Sequence, residues 1–128
     1  MGVRTVVVRV AVVALAAAAA VWAACGYRAV YVGGGSMAPA LWRGDLVLVR
    51  RDASGVAQGD VVLVAKQGWP SGVLHRVLAV NTDDTLVLRG DSNPVADRDP
   101  VRAESVMGVV ACVVPTGRVL AAMESARR

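Results

Sequence analysis

The sequence has few of the side chains from which metal centres are built. It contains one histidine, His75, and two cysteines, Cys25 and Cys112, which lie far apart along the chain. A structural zinc site takes four histidine or cysteine ligands, usually in closely spaced pairs. We therefore expect no metal site.

The sequence also lacks a basic block and any tract of low complexity. Its 128 residues include 14 lysines and arginines and 10 acidic residues, which gives a net charge of +4. Arg4 and Arg9 precede a long apolar run, and the rest of the chain is close to balance. Nucleic-acid-binding domains gather basic residues on one surface, so we expect no nucleic-acid partner. Apolar residues make up 55% of the chain, which excludes a disordered protein.

The apolar residues concentrate in one N-terminal segment, residues 6–25. At about 1.5 Å per residue this segment is about 30 Å long as a helix, the thickness of a membrane's hydrocarbon core. Arg9 lies one turn inside, where its side chain can reach the interface. Arg4 and Arg9 together outweigh Arg28 beyond the segment, which favours an inside N-terminus. We predict a cytoplasmic N-terminus (1–5), a transmembrane anchor (6–25) in the cell membrane and an extracytoplasmic domain (26–128).

A removable signal peptide is the alternative interpretation of the same segment. Signal peptides also have a basic start and an apolar centre. Residues 22–25 (WAAC) resemble a lipoprotein attachment site, although tryptophan fits poorly at its first position. Each alternative leaves the remaining domain outside the membrane. A second apolar run, residues 106–115, is too short to cross one.

The rest of the chain consists of short runs rich in valine and leucine, separated by glycine, proline and aspartate. Such runs predict β-strands, which we place at residues 45–49, 60–64, 73–80, 85–88 and 106–114. Residues 81–84 (NTDD) predict a hairpin turn. Helical periodicity is weak and is confined to residues 119–127. The fold class is therefore mainly β, an antiparallel sheet folded on itself behind one N-terminal transmembrane helix.

Two predictions concern residues near the anchor. Tyr27, Tyr31, Met37 and Trp42 could rest in the membrane interface, where tyrosine and tryptophan are favoured, or pack in the domain core. Cys25 ends the anchor and Cys112 lies in an apolar strand, where a cysteine is usually a small buried residue. We expect no disulfide between them, because a bridge needs Cα atoms within about 7 Å.

Ser36 follows three glycines in the segment GGGSMAPAL and is the first residue that could carry chemistry. Glycines let a substrate backbone approach closely. The N–H of such a serine is also free to help bind an oxyanion. A flexible linker between anchor and domain would have the same composition.

His75 and a group of aspartates supply the other reactive side chains. A lone histidine in an apolar strand is more often a core residue than a catalytic one. Asp91, Asp97 and Asp99 lie in RGDSNPVADRDP, which could equally be a solvated loop. Together with Ser36 these residues could form a nucleophile, a base and an orienting carboxylate.

These segments resemble, in the same order, the conserved boxes of signal peptidase I, the membrane-bound serine peptidases that remove signal peptides from exported proteins. GSMAPAL resembles the nucleophile box, DLVLV and QGDVVLV the two strand segments, HRVLAV the base-bearing box and RGDSNPVAD the Gly-Asp box. The resemblance covers about residues 33–114. A histidine in the base-bearing box is similar to the eukaryotic microsomal, archaeal and some Gram-positive sporulation-type enzymes, whereas the usual bacterial enzymes carry a lysine.

The resemblance implies a catalytic site without a cofactor. By it, Ser36 is the nucleophile, His75 the base and Asp97 the carboxylate that completes the triad. Asp91 matches the invariant aspartate of the Gly-Asp box, and Asp99 is the spare carboxylate. Gly35 and Met37 flank the nucleophile as supporting residues.

The substrates implied are exported preproteins, reached at the membrane lipid and cut after small residues of the Ala-X-Ala type. Many members carry a hydroxyl residue two positions before the nucleophile, where this chain has Gly34. The base also has a rival in Lys66, the only lysine. Two alternative functions stay open: a processing peptidase for a few partners, and a catalytically weak relative that binds exported chains by strand addition.

Overall fold

The computed structural model describes residues 2–127 and begins with one long helix. Helix α1, Val3–Ala24, is 22 residues long, alanine- and valine-rich, and exposed throughout. Within residues 2–127 it is the one helix that is long and apolar enough to cross a membrane. Helix α1 begins three residues before the predicted anchor (6–25) and ends one residue before the end of that anchor.

A single antiparallel sheet of seven strands follows α1 and confirms the mainly β prediction. The strands are β1 Tyr27–Tyr31, β2 Leu46–Arg50, β3 Val61–Lys66, β4 Trp69–Val80, β5 Thr85–Arg89, β6 Val101–Arg102 and β7 Val106–Val114. Their order across the sheet is β1-β2-β7-β3-β4-β5-β6. A 3-10 turn, Ala103–Ser105, precedes β7, and a helix α2, Thr116–Ala126, follows it.

All five predicted strands are present, and two short edge strands, β1 and β6, were not predicted. The predicted hairpin turn joins β4 to β5, with Asn81 N–H donating to the Thr85 carbonyl at 2.8 Å. The strand predicted at residues 73–80 begins four residues earlier than expected. Gln67 and Gly68 suffice to reverse the chain, because Gly68 adopts a φ of +82° that favours glycine. Strand β4 therefore begins at Trp69 and runs for 12 residues.

Strand β3 is buried on both faces and joins the two halves of the core. Val62 and Val64 belong to one cluster, which also contains Val77, Leu86, Leu88, Val106 and Val109. Leu63, on the other face of β3, belongs to a second cluster with Val32, Met37, Leu41, Val47 and Val49. Full burial of each such side chain stabilises the fold by about 1.5–3 kcal/mol.

The residues near the anchor divide between core and surface. Met37 is 2% exposed and packs in the second cluster, so the interface alternative is wrong for this residue. Tyr31 and Trp42 are exposed, and the half-buried Tyr27 makes an edge-to-face ring contact with Trp22 at 5.1 Å.

Both cysteines are free thiols in the structure. Cys112 is exposed rather than buried. Its apolar neighbours along β7 did not reveal this, because alternate residues of a strand point to opposite faces. Cys112 pairs with Leu48 of β2 across the sheet.

Asp45 is the fully buried carboxylate that ties α2 to the rest of the domain. It accepts hydrogen bonds from Trp42 N–H at 3.0 Å, Gly117 N–H at 3.1 Å and the Arg118 guanidinium at 3.1 Å. Burial alone would raise the pKa of this carboxyl, but the donors outweigh it and hold the pKa of Asp45 below its ordinary value. The first turn of α2 is thereby fixed to the loop before β2.

We expect Asp45→Asn to lower the free energy of unfolding at pH 7 by about 2 kcal/mol, because an amide cannot accept from all three donors. A lowered pKa means that the carboxylate stabilises the fold above about pH 4 and loses this effect as the pH falls through the folded-state pKa. The difference in the free energy of unfolding between wild type and Asp45→Asn should therefore be smaller at pH 3 than at pH 7. Thermal unfolding in detergent, with the exposed Glu124→Gln as control, measures it. An equal difference at both pH values would contradict this account.

Candidate active site

A cleft of about 640 Å³ opens on one side of the sheet. One wall is formed by residues 30–37, which continue from the end of β1. The opposite wall is formed by the β3–β4 hairpin between Lys66 and His75, and Leu63 also lines the cleft. A mostly apolar cleft with a few converging polar groups is the usual form of a binding or active site.

Ser36 lies on the first wall, in a turn that is held at both ends. Ala38 N–H donates to the Gly35 carbonyl at 3.2 Å, and Leu41 N–H donates to the Met37 carbonyl at 3.0 Å. Met37 and Leu41 are both 2% exposed and anchor the segment in the core. The segment is therefore a fixed wall of the cleft and not a flexible linker.

The three glycines before Ser36 leave space beside the segment. A Cβ atom added at Gly33, Gly34 or Gly35 would meet no other atom within 4 Å. The amides of residues 33–37 also donate no hydrogen bond to any residue that the structure describes. An extended chain could therefore approach this backbone closely and find free N–H donors.

His75 lies on the second wall, in β4, opposite Val62 of β3. Its side chain is 8% exposed, and its Nδ1 lies 2.6 Å from Asp97 Oδ2. A neutral imidazole that donates Nδ1–H to a carboxylate keeps its lone pair on Nε2. Nε2 is then the nitrogen able to take up a proton.

The three aspartates of the loop after β5 have different surroundings. Asp97 is placed by its own N–H, which donates to the Leu88 carbonyl at 2.7 Å, and its side chain is 10% exposed beside His75. Asp91 receives two hydrogen bonds from Arg76, at 2.8 and 2.7 Å, and this guanidinium lowers the pKa of Asp91. Asp99 is exposed.

Lys66 also reaches Asp97, which the sequence did not indicate. Its Nζ lies 3.3 Å from Asp97 Oδ2, the same oxygen that His75 contacts, and its side chain is 41% exposed. The β3–β4 register, which pairs Lys66 with Trp69, brings the lysine to the cleft. The ammonium is thus partly solvated and paired with the carboxylate that also contacts His75.

The loop that carries Asp97 also contacts the segment that carries Ser36. Ser92 N–H donates to the Ser36 carbonyl at 2.9 Å, and Ser92 Oγ donates to the Gly35 carbonyl at 2.8 Å. A Cβ atom at Gly90 would lie 2.7 Å from the Ser36 carbonyl oxygen, so a side chain there would push the two segments apart. Sequence reasoning missed these contacts, because they end on backbone carbonyls that every residue carries.

Comparisons with known proteins agree with the resemblance seen in the sequence. The family model described as Peptidase S24-like matches residues 15–114. The signal peptidase complex catalytic subunit SEC11 of Komagataella phaffii is 34% identical over 97 residues, which are 63% of this chain and 57% of that protein. SEC11 of Yarrowia lipolytica is 38% identical over 66 residues, 49% of this chain and 38% of that protein.

A human protein gives a similar match. The human signal peptidase complex catalytic subunit SEC11C is 37% identical over 71 residues, which are 50% of this chain and 36% of that protein. This chain thus spans between about a third and somewhat over half of the length of these relatives. The predicted relationship to signal peptidases is confirmed.

Proposed function

Because this chain belongs to the Peptidase S24-like family, we propose that it is a membrane-anchored serine endopeptidase that removes signal peptides from exported proteins. The observation that carries the proposal is the 2.6 Å contact between His75 Nδ1 and Asp97 Oδ2, in a cleft that Ser36 also lines. The similarity to SEC11 catalytic subunits supports signal peptides as the substrate.

In the proposed reaction Ser36 Oγ attacks the scissile carbonyl carbon, and His75 Nε2 takes the hydroxyl proton. Asp97 holds the imidazole through Nδ1–H and stabilises the imidazolium that forms. His75 then gives its proton to the leaving amine, which leaves an acyl group on Ser36. Water, activated by His75 in the same way, attacks the ester and releases the second product.

The negative charge that develops on the carbonyl oxygen needs donors, and here these are backbone amides. Gly34 stands where many relatives have a hydroxyl residue, so the side chain cannot supply a donor. The Ser36 N–H donates to no other residue in the described part of the chain. Preorganised donors of this kind contribute about 100- to 1000-fold each to turnover.

The cleft suits an extended peptide with small side chains. Its lining between the two walls is largely apolar, with Val30, Met37, Leu63 and Leu74 among the contributing residues. Alanine side chains before the cut would fit such a lining without burying a polar group. Substrates of the Ala-X-Ala type are therefore proposed.

The anchor is assigned to α1, which would place the domain outside the cell membrane on a single span. Ser36 lies eleven positions after Cys25, so even a fully extended chain between them spans at most about 36–40 Å. The site would thus act near the lipid surface, where signal peptides of exported preproteins emerge.

A second candidate is a catalytically weak relative that binds exported chains in the cleft by strand addition. Gly34 favours it, because one oxyanion donor is absent compared with many relatives. The two functions differ in whether Ser36 is needed for cleavage.

Ser36→Ala should lower cleavage of a preprotein with an Ala-X-Ala site by at least about 1000-fold, because no other group supplies the nucleophile. The measurement is the cleavage rate of the full chain in detergent. Ser125→Ala, on the exposed face of α2, is the matched control and should cleave at the wild-type rate. Equal rates for wild type and Ser36→Ala would favour the binding function.

His75→Ala should abolish turnover, whereas Lys66→Ala should retain most of it. The rate should also fall at acid pH, because a protonated base can no longer accept the hydroxyl proton. Rate against pH for wild type and both variants decides the base. An active His75→Ala beside an inactive Lys66→Ala would assign the base to the lysine.

Asp97→Asn should lower kcat by roughly 10²- to 10⁴-fold, because an amide no longer fixes the imidazole tautomer. Asp99→Asn, two residues along the same loop, is the matched control and should stay within about twofold of wild type. Steady-state kinetics on the same preprotein measure both. A larger loss for Asp99→Asn would contradict the assignment of the carboxylate.

A further inference from the structure

Ser92 connects the loop after β5 to the segment that carries Ser36, although it does not itself line the cleft. Its two donors act on two successive peptide units. Ser92 N–H holds the Ser36 carbonyl at 2.9 Å, and Ser92 Oγ holds the Gly35 carbonyl at 2.8 Å. The hydroxyl therefore binds the Gly35–Ser36 peptide unit, which also contains the Ser36 N–H.

The geometry of that peptide unit links the two groups. In a planar trans peptide the carbonyl oxygen and the following N–H point in opposite directions. Among the described residues the one cis bond is Ala38–Pro39, so the Gly35–Ser36 peptide is trans. With the Gly35 carbonyl turned towards Ser92, the Ser36 N–H must point away from that loop.

We propose that Ser92 is a positioning residue for the oxyanion site: its hydroxyl holds the Gly35 carbonyl and thereby aims the Ser36 N–H into the cleft. The proposal rests on the proposed function, in which this N–H stabilises the oxyanion. Because Gly34 contributes no side-chain donor, the orientation of this amide has a larger effect on turnover than it would beside a hydroxyl donor.

The loop that presents Ser92 has further hydrogen bonds that do not involve the Ser92 hydroxyl. Its neighbour Asp91 makes two hydrogen bonds with Arg76 of β4, and Asn93 N–H donates to the Gly90 carbonyl at 2.9 Å. Ser92→Ala would leave these bonds and the Ser92 N–H bond to Ser36 in place. The variant thus removes only the hydroxyl's hydrogen bond to the Gly35 carbonyl. The hydrogen bond from Ala38 N–H to the same carbonyl, at 3.2 Å, remains.

The experiment compares wild type, Ser92→Ala and Ser92→Thr, with the full chain in detergent and an Ala-X-Ala preprotein as substrate. Ser92→Ala should lower kcat about tenfold, less than the loss of a whole oxyanion donor, and should change KM less than about twofold. Ser92→Thr keeps the hydroxyl and should keep at least about half of kcat. The pH at which the rate falls should be the same in all three, because the His75–Asp97 contact is untouched.

Three results would overturn the proposal. They are a wild-type kcat in Ser92→Ala, an equal loss in Ser92→Thr, and a kcat loss accompanied by a displaced pH profile or a clearly lower Tm. The last would mean that Ser92 acts through the loop as a whole. Failure of the proposed function gives a different result, since wild type and Ser36→Ala would then cleave equally.

Discussion

Burial of β3 on both faces is the constraint on which the rest of the domain depends. Val62 and Val64 face one cluster and Leu63 faces the other, so the sheet must fold around this strand. The pairing of β3 with β4 then sets where His75 lies, and the end of β3 brings Lys66 to the rim of the cleft. A shift of this register by one residue would turn His75 to the opposite face. The geometry of the site is thus set by the packing of the strand beside it.

The loop after β5 adds the second constraint, because it touches both walls of the cleft. Consecutive residues of β4 contact its two ends: Arg76 pairs with Asp91, and His75 pairs with Asp97. Between these points Ser92 is bonded to the segment that carries Ser36. The relative position of the proposed nucleophile and base therefore depends on one short stretch of chain.

Much of this architecture could be predicted from the sequence, and the exceptions have physical reasons. The buried strands are nearly continuous valine and leucine runs, which is a strong signal, and β7 has the predicted bounds. Strand β6 has two residues and β1 lies at the sheet edge next to the anchor, so pairing with β5 and β2, and not local composition, defines them. For the candidate site, the sequence identified the three segments that carry Ser36, His75 and the aspartates. Which of three aspartates approaches His75 depends on the path of the loop, and spacing along the chain does not encode that path.

Local opening of the loop between Gly90 and Asp97 would disrupt the candidate site. Its hold on the domain consists of the Arg76–Asp91 pair and a few hydrogen bonds, from Ser92 to Ser36 and from Asp97 to Leu88 among them. Such segments open locally with a smaller free energy than the unfolding of a core like that around β3. One such opening would separate the imidazole from its carboxylate and release the Gly35 carbonyl at the same moment. Both contacts of the loop with the site are therefore lost together, while the two walls and the sheet beneath them stay folded.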